Sequence, residues 1–286
     1  MTYLRNIILP FMLLLAFAGC TQDEVETVAP GEIRFTLNVP ALNMPGELPS
    51  KSVSPEPGES TISNVYLLFY EQSASDADRP IFFYSQTGLS NENNWSKTFK
   101  TTEMAGLKPH IGYDVYALAS PPSSVSAPTE STTKAMLLTL EENLTDQNVS
   151  SWAISFSGQS AYTTGRLGEQ TINLKRTVAR LDIILDNQIG AQNLSLTMVK
   201  EPSSVFYLKN NTGSSLTSSN RTASTTAAGD YRFYLYEHTA GSDPVRIYLN
   251  GTTPAGRPIF HLIDLQHNGS SEIKRNHIYK IALTLK

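Results

Sequence analysis

The sequence predicts an all-β protein, with two tandem β-sandwich domains behind a lipoprotein signal peptide. Short segments that alternate apolar with polar residues recur along the chain, and turn-forming residues separate them. No stretch carries the apolar stripe of an amphipathic helix, and that combination describes sandwiches.

The leader comes first. Arg5 is the only charge before an apolar run, residues 7–18, which closes on Phe17-Ala18-Gly19-Cys20. A basic start, a short apolar core and small residues at the cut make a secretory signal too short to span a bilayer stably. The end of that run resembles the bacterial lipobox, with Phe17 where a leucine is usual, so Cys20 is the expected site of diacylglycerol attachment. Cys20 is also the sole cysteine of the chain, and acylation would consume a thiol otherwise left reactive. The alternative is an ordinary signal peptide with an incidental cysteine. Each buried acyl methylene contributes about 0.8 kcal/mol, so two or three palmitate-length chains would hold the protein to a membrane. Thr21-Gln22-Asp23-Glu24 follows and resembles the acidic export signal of Bacteroidales surface lipoproteins, which implies the outer face of the outer membrane.

Removing residues 1–19 takes one basic charge from the 22, leaving 21 basic against 26 acidic residues, a net of −5. This balance argues against a nucleic-acid partner. With one cysteine there is no intrachain disulfide, so apolar cores must supply stability.

The mature chain reads as strand after strand. Ile33, Phe35, Leu37 and Val39 alternate with Arg34, Thr36 and Asn38, the period of a half-buried strand. Pro45, Pro49, Pro55 and Pro57 mark a loop. Residues 65–70 form an unbroken apolar run, expected as a central strand buried on both faces. Strands are expected at 81–84 and 112–119, a surface loop at 120–133, and a short helix or turn at 139–148. In the second half Leu181, Ile183 and Leu185 alternate with Arg180, Asp182 and Ile184. Further strands are expected at 194–199, 231–236, 245–249, 258–265 and 279–285, with a mobile Ser/Thr/Asn/Gly loop over 210–229. The expected division is a signal peptide over 1–19, an acidic linker over 20–30, an N-terminal sandwich over 31–175 and a C-terminal sandwich over 176–286.

Little in the residues asks for catalysis. His110, His238, His261, His267 and His277 show no metal-ligand spacing, and no cofactor or metal is expected. In a strand, His261 should face away from Phe260 and Leu262. A GxSxG elbow, a phosphate loop and a dinucleotide glycine cluster are all missing from the sequence. Carboxylate pairs assemble in space, so a hydrolase stays open as a third reading. A glycan-binding surface lipoprotein is the second, with Trp95, Trp152 and Tyr162 as candidate stacking residues, though the core or a strand edge is the expected place of each.

Several segments, in order, resemble the fimbrillin-type (type V) pilus subunits of Bacteroidales. They are Gly31-Glu32-Ile33-Arg34-Phe35-Thr36-Leu37, Glu59-Ser60-Thr61-Ile62-Ser63-Asn64-Val65-Tyr66-Leu67-Leu68-Phe69-Tyr70, Leu174-Lys175-Arg176-Thr177-Val178-Ala179-Arg180-Leu181, Phe233-Tyr234-Leu235-Tyr236-Glu237 and Lys274-Arg275-Asn276-His277-Ile278-Tyr279-Lys280-Ile281. The resemblance implies two transthyretin-like domains and a non-enzymatic role in adhesion. It also implies partnership with other fimbrial subunits by strand donation, with a host or bacterial surface receptor beyond them. In that family the first strand covers an apolar groove until a surface protease cuts the following loop after Arg or Lys. Here the lid would be residues 31–41, with Ile33, Phe35, Leu37 and Val39 inward, and Lys51 the cleavage position, with an uncut solvated lysine as the alternative. Stalk subunits carry a donor segment after the last strand, whereas this sequence stops at Lys286. That implies a tip or accessory subunit; a membrane-proximal anchor is the rival.

Overall fold

The computed structural model describes residues 31–44, 58–104, 106–143, 154–209, 216–217, 224–225, 230–239, 243–266 and 269–286. Cys20, Lys51, Trp152 and His267, with the leader, the acidic linker and most of 210–229, lie outside the described residues.

The chain runs through strands β1 (Glu32–Asn38), β2 (Thr61–Ile62), β3 (Val65–Glu71), β4 (Phe82–Gln86), β5 (Asn91–Glu92), β6 (Asn94–Lys100) and β7 (Gly112–Ala119). A short helix, α1 (Lys134–Leu138), precedes β8 (Glu141–Asn143), β9 (Phe156–Thr163), β10 (Gly168–Asn173) and β11 (Lys175–Arg176). Then come β12 (Val178–Asn187), β13 (Gln192–Val199), β14 (Glu201–Pro202), β15 (Ser204–Phe206), β16 (Leu216–Thr217), β17 (Ser224–Thr225), β18 (Tyr231–Tyr236), β19 (Arg246–Thr252), β20 (Pro258–Asp264) and β21 (Ile278–Leu285). The described residues are all-β apart from α1.

Two sheets enclose the first core: β10-β1-β6 on one side and β11-β9-β7-β3-β4 on the other. Between them pack Ile33, Phe35 and Leu37 of β1 with Leu67, Phe69, Val115, Phe156 and Ile172. The run at 65–70 is buried on both faces, as a strand between β7 and β4. Its other face, Tyr66, Leu68 and Tyr70, meets Tyr116, Leu118, Val125, Leu137 and Tyr207.

That second layer corrects two expectations. A short helix stands at Lys134–Leu138, ahead of the stretch expected to hold a helix or turn, where the Thr133 hydroxyl accepts from the Met136 N–H and Leu137 is fully buried. Residues 141–143 instead form β8, paired with β15. The loop at 120–133 is also partly an inner layer, since Val125 is buried and the Tyr70 hydroxyl donates to the Thr132 carbonyl.

Sheets β17-β18-β12-β21 and β13-β19-β20 enclose the second core, built on Leu181, Ile183, Met198, Phe233, Leu235, Ile247 and Leu249. The two cores meet rather than stand apart: Val178, Val205, Tyr234 and Tyr236 pack into the first cluster. Both contain the same local arrangement. β1 lies between antiparallel β6 and parallel β10, and β12 lies between antiparallel β18 and parallel β21.

Candidate strand-exchange site

β1 occupies the middle of its sheet, not an edge. Residues 33–38 register with β10 and residues 32–38 with β6, so the strand has a ladder on both sides. The strict alternation of apolar and polar residues makes this possible, because one face must sink into the core while the other stays wet. Ile33, Phe35, Leu37 and Val39 are 2%, 0%, 0% and 4% exposed. Phe35 meets Phe69, Tyr162 and Phe99 edge-on, with ring centroids 5.2, 5.6 and 6.1 Å away. Each such side chain contributes about 1.5–3 kcal/mol of burial. The outer face adds weaker polar pairs: Thr36 Oγ1 to Glu169 at 2.7 Å, Asn38 Nδ2 to Asn173 at 3.2 Å and Arg34 Nε to Thr98 at 3.3 Å.

The walls of this slot are held from below. A side chain at Gly158 on β9 would sit 2.8 Å from the Asn173 carbonyl and 2.9 Å from Ile172, so glycine lets β10 close over β9.

Residues 40–43, just past the strand, are latched to the far end of the chain. Arg176 Nη1 donates to the Pro40 carbonyl at 2.8 Å and to Asn276 Oδ1 at 2.6 Å. Asn276 Nδ2 donates to the Ala41 carbonyl at 3.2 Å. Asn43 N–H donates to the Asn276 carbonyl at 3.0 Å, and Ile278 N–H to the Asn43 carbonyl at 2.7 Å. Leu42 is buried between these bonds. Asn276 has φ +63°, a left-handed conformation that asparagine tolerates better than most side chains. A cleft of about 770 Å³ opens beside the latch, lined by Pro40, Asn43, Leu174, Lys209, Asn276 and His277 among others.

Behind the latch lies a buried charge network. Arg176 Nε donates to the Glu59 carbonyl at 2.8 Å, and its guanidinium carbon stands 5.8 Å from the centre of the Phe156 ring. Burial pulls Arg176 down to about 10, while Glu59 and Tyr234 work in the other direction. The Glu59 carboxylate accepts from Arg180 Nη1 and from the Tyr234 hydroxyl. Arg180 also forks onto Asp182, with Nη2 to Oδ2 at 2.8 Å, and Arg232 Nε reaches Asp182 Oδ1 at 2.7 Å. Burial alone would raise the Asp182 carboxyl, but hydrogen bonds from Arg180 and Arg232 hold it below the usual carboxylate range. Burial and then Glu59 push the Tyr234 hydroxyl upward. The polar positions that alternate along β12 do not face water in its first half: Arg180 and Asp182 are 5% and 7% exposed, because Glu59, Arg232 and Tyr234 cover their face.

Other sequence candidates fall elsewhere. Trp95 and Tyr162 are core residues, with Trp95 Nε1 donating to Gln86 at 3.1 Å, so neither offers a sugar-stacking surface. His238 is buried and bonded to the Asp243 carbonyl, and His277 contacts the Arg275 carbonyl. His110 and His261 are exposed. Among the described residues no group of three His, Cys, Asp or Glu side chains converges as a metal site requires. The latch residues Arg176 and Asn276 were visible only as charged or polar flanks of strands; the one clue was Arg180 and Asp182 lying within an apolar stretch.

Solved structures share this architecture. A Parabacteroides distasonis protein named for a proposed role in cell adhesion is 12% identical, with a TM-score of 0.64 over 89% of this chain and 88% of that one. A fimbrial assembly protein of the same species is 13% identical, with a TM-score of 0.55 over 88% and 90%. The tip fimbrial protein Mfa3 of Porphyromonas gingivalis, truncated at its C-terminus, is 13% identical, with a TM-score of 0.57 over 87% and 94%. At these identities the likeness is one of fold. No curated protein matches the chain. Residues 55–286, all of the described body downstream of β1 and the latch segment, match the family of fimbrillin-A associated anchor proteins Mfa1 and Mfa2, and the chain belongs to that family.

Proposed function

We propose that this chain is a non-enzymatic fimbrial subunit of the bacterial surface, a tip or accessory component used in adhesion, whose β1 is a displaceable lid. In this reading it is made as a lipoprotein acylated at Cys20 and built from two transthyretin-like domains, 31–175 and 176–286. Cleavage after Lys51 severs the covalent link between β1 and the body, and a strand from a neighbouring subunit then displaces it.

One observation carries the reading. β1 is a complete filling of its slot, with backbone partners on both sides and four inward side chains almost fully buried. Its connection to the body passes through residues 45–57, which contain Lys51. Taking β1 away would bare the N–H and C=O groups of two strands beside an apolar trough, and a strand of the same alternation would satisfy both. The test is exchange. After cutting with a lysine-specific protease, a labelled peptide of alternating apolar residues should replace residues 31–51, and the displaced fragment should appear free in solution. A cut protein that retains its own strand against excess peptide would overturn the reading.

A membrane-proximal anchor is the second reading, favoured by the family's description and by the latch, which pins the segment after β1. An anchor keeps its lid, so refusal of the peptide by native, uncut and lipidated protein on cells favours it.

A further inference from the structure

We propose that the free edge of β20 pairs with the same edge of a second copy of this chain, joining two three-stranded sheets into one. Among the described residues β20 pairs only with β19, and it forms the outer strand of β13-β19-β20. The direction of its backbone groups follows from the flanks. Leu265 N–H donates to the Val245 carbonyl and Thr253 N–H to the Arg257 carbonyl, so odd-numbered residues of this segment aim at β19. The N–H and C=O groups of Phe260, Leu262 and Asp264 therefore point outward, with the Pro258 carbonyl.

Exposed edges are ordinarily blunted by a charge or a proline in their middle. β20 has its proline and its aspartate at the two ends, and its centre presents Phe260 at 63% and Leu262 at 48% exposure. The Phe260 ring continues onto Tyr248 of β19, centroids 5.1 Å apart. The occupant is indicated by symmetry. Ile259-Phe260-His261-Leu262-Ile263 has the same apolar pattern read in either direction. A two-fold axis through His261 sets Phe260 opposite Leu262, Leu262 opposite Phe260, and Ile259 opposite Ile263. Sliding the register by two residues either way opposes Phe260 to Asp264 or Leu262 to Pro258, so the matched register is the favoured one. In it about six backbone bonds form, and each proline sits at the end of the ladder where it forfeits one. Asp264 meets a proline, not a like charge, and keeps its bond to Arg246 at 2.7 Å.

The pairing does not depend on what fills the β1 slot, and its test needs neither protease nor peptide. The full chain carrying Cys20→Ser, and so without thiols, is measured by light scattering and sedimentation across a dilution series. A species of twice the single-chain mass is expected. Leu262→Lys should raise the dimer dissociation constant by at least about tenfold with an unchanged melting temperature. In the same background His261→Cys should cross-link under mild oxidation, because residues across the axis are close, while exposed Ser123→Cys should not. A single-chain mass at every concentration, an equally tight Leu262→Lys dimer, or cross-linking no faster than at residue 123 would each overturn the proposal.

Discussion

The side-chain amide of Asn276 donates to the carbonyl of Ala41, 3.2 Å away and 235 residues upstream. The same side chain receives Arg176, so a residue next to the last strand holds down the chain that leaves the first. Asn276→Ala should cost about 1–3 kcal/mol, since it strands a buried donor of Arg176 and the Ala41 carbonyl. Urea unfolding would read the loss, and amide exchange should quicken at residues 40–43 before it does in β7. Asn276→Asp keeps the acceptor for Arg176 and should recover part of the stability.

Cutting at Lys51 should not by itself release β1. The flanks of residues 45–57 are each tied to the body, Asn43 by backbone bonds to Asn276 and Ile278 and Glu59 by the buried arginine network. The two fragments should co-elute under native conditions and separate in denaturant. Lys51→Gln should leave the protein whole under the same lysine-specific protease.

The two faces of β1 should respond differently to truncation. Phe35→Ala opens a cavity among Phe69, Phe99 and Tyr162 and should cost about 3–5 kcal/mol. Thr36→Ala removes one exposed bond to Glu169 and should stay within about 0.5 kcal/mol. Denaturant midpoints at unchanged slope would measure both.

Acid should loosen the network through Asp182. Its folded value lies below the unfolded one, so the stabilisation is complete above the ordinary aspartate value of about 3.9 and is lost as pH falls through the folded value. Unfolding curves taken from neutral pH to about pH 2.5 should show that decline. Asp182→Asn should flatten that part of the profile and lower stability at neutral pH by about 3–5 kcal/mol, because buried Arg180 and half-buried Arg232 lose their shared carboxylate.

Much of the fold was legible because its strands alternate or run apolar: β1, β3, β7, β18 and β20 stand where their patterns place them. The walls of the β1 slot were not. Asn94–Lys100 and Gly168–Asn173 carry few apolar residues, since each buries only Trp95 and Phe99, or Ile172, and spends its other positions on solvent. The latch was hidden for another reason. Arg176, Arg180 and Asp182 have the composition of a wet surface, and only contacts from Glu59, Tyr234 and Asn276, far away in sequence, turn them inward. The helix at Lys134–Leu138 went unseen because its five residues are too few to show a period, and Thr133 marks it only through a cap.

The central position of β1 also bears on force. Its backbone bonds run sideways to β6 and β10, across the direction in which the strand could be drawn out. Tension along the strand loads both rows at once in shear, whereas peeling from one end breaks bonds singly. A joint between subunits made in this slot would thus resist the drag of flowing liquid along the fibre axis, yet still be assembled stepwise by a strand entering from one end.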